Sequence, residues 1–212
     1  MAVTGETPAP SPAAVGIGAV PRRVVDLTAL WAGPLCTGLL VAAGAEVIRI
    51  DSLGRPDPTP TVSPDLDRRL NGRKRRLPLD LRRADDRARL RDLALEADVL
   101  VTSARAAALA RLGLVPDVLL AENPRLIWVA ITGHGFAGDG AGRVGFGDDC
   151  AAAGGLLDWC QGVPCFLGDA LADPLTGLEA ALAVLSQAAS GSGGLIDMAM
   201  ARVAAGYARA LE

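Results

Sequence analysis

The sequence predicts an α/β protein, a doubly wound and mostly parallel sheet with helices on both faces. Three observations carry that expectation. Residues 24–51 read as strand, loop, helix and strand, and a strand that returns through one helix is a parallel βαβ unit with a right-handed crossover. Short apolar runs then keep alternating with amphipathic segments to the end of the chain, as such sheets require. Half of the 212 residues are apolar while only 3% are aromatic, so a sizeable core is available but must be mostly Ala, Leu and Val.

The elements follow in order. Residues 1–21 are rich in Pro, Ala, Thr and Gly and are expected to form a flexible arm, with one domain over 22–212. Gly16-Ile-Gly18 is discounted as a nucleotide motif because it precedes the first strand rather than following it. Val24, Val25 and Leu27 form that strand. Gly33-Pro34 starts a helix, where a proline lacks only an N–H that had no intrahelical partner. Leu35, Leu39, Leu40 and Ala43 recur at helical spacing up to Gly44 as C-cap, and 46–51 is the second strand. Residues 52–67 hold four prolines and are expected to be an irregular loop. Leu77, Leu79 and Leu81 alternate as a strand, 84–95 is an amphipathic helix and 98–101 a strand. Two short helices are expected at 104–112 and 116–122, a buried strand at 126–131, and a glycine-rich loop to Gly147. Helices at 149–157 and 174–189, a strand at 195–197 and a closing helix at 198–211 complete the chain, with Asp173 as an N-cap candidate.

Bulk properties exclude several functions. A net charge of −3 argues against general binding to nucleic acid or an anionic membrane. No apolar run approaches the ~20 residues that span a bilayer, and the N-terminus lacks the basic and apolar regions of a signal peptide. A cytoplasmic protein is expected. The four cysteines, Cys36, Cys150, Cys160 and Cys165, read as buried thiols rather than disulfides. Cys160 and Cys165 lack the companion ligands of a zinc site, so no metal is expected.

In a parallel sheet, ligands bind beyond the carboxyl ends of the strands, which selects the 28–33 loop and the segment after Asp51. Arg73-Lys74-Arg75-Arg76, which contains the only lysine, suits a phosphate-rich ligand, although such a run is also what a solvated surface turn looks like. His134 stands between two glycines after a strand end, a place for site residues and equally for an exposed loop histidine. Asp173 at a helix start is either a cap or a nucleophile kept ionised by the helix N-terminus.

The residues then show a family pattern. AGPLCTGLLVAAGAEVIRID, from Ala32 to Asp51, resembles the hallmark unit of the class III CoA-transferases, the family of formyl-CoA and carnitine CoA-transferases that also holds the α-methylacyl-CoA racemases. Asn71-Gly-Arg-Lys-Arg-Arg-Leu-Pro-Leu-Asp-Leu81 is similar to its second motif at Asn71, Lys74, Arg75, Leu77, Leu79, Asp80 and Leu81. Glu96–Val101, Leu112–Leu114, Asn123–Ile127, Gly154–Leu156 and Asp197 follow in order.

The resemblance implies a Rossmann-like fold, interlocked chains and no permanently bound cofactor, with CoA or acyl-CoA as substrate and a carboxylate as acceptor. Asp173 would be the nucleophile, passing through an aspartyl-CoA thioester. Trp31, Ala32, Gly33, Asn71, Lys74, Arg75, Ser103 and His134 would contact CoA. A homodimer, or a complex with a chain supplying the family's second half and small domain, is expected; the alternative is an inactive CoA-binding or dimerising module. Two departures matter. Gly145-Phe146-Gly147-Asp148 lacks the imidazole of the racemase branch, which argues against racemisation, and Ser103-Ala104 replaces the family's Asn-Phe.

Overall fold

A computed structural model describes residues 20–211; the arm expected over 1–21, Gly16-Ile-Gly18 included, lies outside these residues but for its last two. The βαβ unit forms as β1 (Arg23–Leu27), α1 (Ala32–Ala42) and β2 (Glu46–Ser52). It continues through β3 (Arg75–Leu79), α4 (Ala84–Glu96), β4 (Val99–Thr102), α5 (Ala106–Arg111), α6 (Pro116–Glu122) and β5 (Ile127–Thr132). The last part holds α7 (Gly147–Ala153), α8 (Ala172–Ser190), β8 (Gly194–Ala199) and α9 (Met200–Ala210).

The main sheet has the order β3-β2-β1-β4-β5-β8, and each neighbouring pair is parallel. Alternate strand residues feed two cores. Val24, Val99, Val101 and Val129 pack against α1, α7, α8 and α9 on one face. Val25, Leu100 and Trp128 meet α4, α5 and α6 on the other. Because β1 and β4 are neighbours while the chain runs outward from them in both directions, their carboxyl ends form the switch point at which such sheets hold ligands.

Two expectations fail. The segment 52–67 is not irregular throughout: α2 (Thr59–Val62) and α3 (Pro64–Asn71) occupy it. Their prolines stand at the first helical turns, where a missing N–H costs nothing, so proline density marks helix starts here. The helix expected over 149–157 ends at Ala153, and the chain after it is not helical until α8. It forms an antiparallel hairpin, β6 (Leu157–Cys160) and β7 (Val163–Phe166). Its two-residue loop, Gln161-Gly162, has positive φ at both positions, the geometry that matches the twist of paired strands. Trp159, Val163 and Phe166 on this hairpin are all more than half exposed.

Candidate functional site

Two carboxylates meet α1, Asp173 at its first residue and Asp26 at Thr37, and they are built differently. Asp26, on β1, is fully buried. Lys74 Nζ reaches it at 3.0 Å and Arg49 Nη1 lies 3.6 Å away. Thr37 Oγ1 stands 2.6 Å from it, and the Thr28 amide donates to its other oxygen at 3.1 Å. Burial pushes the Asp26 carboxyl up, but the two cations and the Thr28 and Thr37 hydroxyls outweigh it and hold the group below its ordinary value.

The same cluster decides Lys74 and Asn71. Besides Asp26, Lys74 Nζ lies 2.8 Å from the Pro34 carbonyl, 2.6 Å from Thr37 Oγ1 and 2.7 Å from Asn71 Oδ1. An ammonium has three protons, so none is left for a CoA phosphate. Asn71 is 1% exposed, and its oxygen also accepts from Arg49 at 3.2 Å. Lys74 and Asn71, expected to touch CoA, are therefore parts of the fold under α1. Of the remaining cations in that turn, Arg76 is held by Asp51 and Asp67, whereas Arg73 and Arg75 are exposed.

Asp173 is not the N-cap of its helix. The cap position falls at Leu171, without a side-chain cap bond, because the Asp173 amide already donates to the Ala170 carbonyl. The side chain instead leaves α8 for the start of α1, where Oδ1 accepts the Ala32 amide at 3.3 Å. Oδ2 lies against Gly147, and any Cβ there would overlap it. Burial pushes the Asp173 carboxyl up to about 6, with the Ala32 and Gly147 amides opposing and Asp148 and Asp149 adding to the rise. The N-terminus of α1 favours the anion, so the group is mostly ionised at neutral pH yet more basic than an ordinary Asp.

The other expected residues gather unevenly. Ala32 supplies the amide just described, and Trp31 occupies the cap position of α1, half-buried. Gly33 packs against Thr28 so closely that a Cβ would overlap its side chain. Ser103 Oγ accepts the Ala29 amide at 3.2 Å and ties the β1 loop to the end of β4. Arg75 begins the edge strand β3, in register with Ile48. His134 stands apart from this group, near Asp149 and Cys150. Two cysteines are buried as expected, Cys36 and Cys150, but Cys160 is exposed and Cys165 partly so. Burial pushes the Cys150 thiol up to about 12, which leaves it no nucleophile on its own.

Sequence reasoning missed Asp26, Arg49 and Gly147. The first two carried a signal, since a charge flanked by apolar strand residues needs a partner if it is buried. Gly147 carried none; its contact joins segments far apart in the chain.

A doubly wound parallel sheet with a part-buried carboxylate set on backbone amides defines an α/β protein whose candidate site lies where such sheets hold ligands. The family is given by comparison with known proteins: the family model described as CoA-transferase family III matches residues 22–210, and the chain belongs to that family. It is 32% identical over 200 residues to an acyl-CoA transferase of Fusarium pseudograminearum, covering 84% of this chain and 44% of that protein. It is 37% identical over 134 residues to the human alpha-methylacyl-CoA racemase, covering 63% of this chain and 33% of that one. Among solved structures, a CAIB/BAIF family protein from Brucella suis superposes with a TM-score of 0.76 at 32% identity, covering 87% of this chain and 53% of that chain. The chain thus spans about half the length, or less, of these relatives. Among the described residues, no helix is long and apolar enough to cross a membrane.

Proposed function

We propose that this chain carries the acyl-accepting carboxylate of a CoA-transferase, with Asp173 as nucleophile and an acyl-CoA and a carboxylic acid as donor and acceptor. The observation that carries the reading is the Asp173 side chain itself, turned away from capping its own helix and seated on the Ala32 amide. Asp173 attacks the thioester carbonyl and CoA leaves as thiolate, giving a mixed anhydride. The thiolate then attacks the Asp173 carbonyl, releasing the donor acid and forming an aspartyl-CoA thioester. The acceptor carboxylate attacks that thioester and expels the thiolate, which collects the acceptor acyl group and regenerates Asp173.

The raised basicity of Asp173 strengthens the first attack. When its carbonyl carbon becomes tetrahedral, the amides that support the carboxylate are in place for the developing oxyanion. Exposed Arg73 and Arg75 are the cations of the basic turn free to meet phosphates. No imidazole occupies 145–148, which supports transfer over racemisation.

The reading includes a partner or further chain that completes the site. Phe146, Trp159, Val163 and Phe166 are each more than half exposed, an apolar surface of the kind that packs against another surface. Incubation with an acyl-CoA followed by mass spectrometry tests the chemistry. A CoA adduct on Asp173 is expected, and Asp173→Ala should abolish it and lower turnover at least about a thousandfold. An unchanged adduct in that variant would sink the proposal.

A further inference from the structure

His134, Asp149 and Cys150 form a second constellation beside the Asp173 carboxylate, whose charge Asp149 and Cys150 both feel. One nitrogen, one carboxylate oxygen and one sulfur from these side chains all stand within 4.8 Å of one another. They come from two segments, the glycine-rich loop after β5 and the first turn of α7. Cys150 is buried, His134 half-buried and Asp149 exposed, so the cluster has a closed floor and an open mouth. Asp149 Oδ1 accepts the Phe146 amide at 2.6 Å, which orients the carboxylate and leaves Oδ2 free.

Position 145 supplies an independent observation. A Cβ there would stand 2.6 Å from Cys150 Sγ, 2.9 Å from Gly133 Cα and 3.1 Å from His134 Nε2, so only a glycine lets the loop pack with both side chains directly against it. An N, O and S donor set with a solvent-facing side is that of a three-ligand zinc site with water in the fourth position. Tetrahedral ligand atoms stand roughly 3.3–3.7 Å apart, so the three must close by about one ångström. The glycines at 133, 135, 138, 140 and 142 make the loop compliant enough for that movement.

We propose that His134, Asp149 and Cys150 bind a zinc-class divalent ion that ties the 133–146 loop to α7. On binding, the Cys150 thiol gives its proton to solvent and the sulfur ligates as thiolate. The proposal does not rest on Asp173 being acylated, and its test reads metal alone. Titration of the full chain with Co²⁺ should show one equivalent bound with a sulfur-to-metal absorption band, displaced by Zn²⁺. Zn²⁺ should also raise the melting temperature. His134→Ala, which alters a half-buried loop side chain, should remove the band and weaken Zn²⁺ binding at least about tenfold; Cys150→Ser should do the same if it folds. The double change Cys160→Ser with Cys165→Ser should leave the band intact. Absence of stoichiometric binding, a band that survives His134→Ala, or a band lost with the hairpin cysteines would overturn the site.

Discussion

Asp26 and Asp173 both meet α1, yet they are opposite kinds of carboxylate. Asp26 faces two cations and two hydroxyls in a sealed interior and is held below its ordinary range. Asp173 meets backbone amides, two acidic neighbours and, among the described residues, no ion-pair partner, and is pushed up to about 6. Depth alone does not set the behaviour, since the more buried group is the more acidic. What differs is whether the fold supplies a counter-charge. A carboxylate matched by cations is quiet structure, whereas one supported by dipoles alone keeps its basicity for chemistry.

The largest expected break is at the structural member of the pair. Asp26→Asn leaves Lys74 buried without its anion and takes one of three carboxylates from Arg49, and should cost about 3–5 kcal/mol in urea unfolding. The proposed nucleophile should respond with the opposite sign. A carboxyl raised in the folded state contributes stability below its ordinary value of 3.8 that is lost as pH rises through about 6. Asp173→Asn should therefore unfold about 1–2 kcal/mol later than the parent at pH 8, an allowance that discounts a group partly open to solvent. That gain should vanish below pH 3.8. Equal or lower stability at pH 8 would show that the amides, rather than burial, dominate there.

Kinetics sharpen the same contrast. The rate of aspartyl adduct formation should rise with pH through about 6 and level off above it, standing about tenfold below its plateau at one pH unit under the midpoint. The smallest effect is expected at Arg75, an exposed cation. Arg75→Ala should weaken CoA binding by about three- to fivefold in calorimetry, and less at high salt.

Much of this architecture was legible from the chain. The βαβ opening, the alternation behind it and the proposed nucleophile rest on local signals, either periodicity or a recognisable motif. The failures have a common physical cause. Lys74 reads as a surface cation because its neighbours in sequence are Arg73, Arg75 and Arg76. Only the strand order, which sets β3 beside β2 and β2 beside β1, lets its long side chain reach Asp26. Prolines 58–64 read as a loop because proline is a breaker in a helix interior but is accepted in a first turn. The direction of the Asp173 side chain was open as well: cap and nucleophile share one sequence pattern, and only the position of Ala32 separates them.

The Ala32–Asp173 hydrogen bond joins residues 141 positions apart. Contacts of such separation form only after the loop-closure entropy of the intervening chain has been met. Until α8 docks on α1, Asp173 is an ordinary solvated carboxylate with ordinary reactivity. The chain thus gains its proposed chemistry only once α8 has docked on α1.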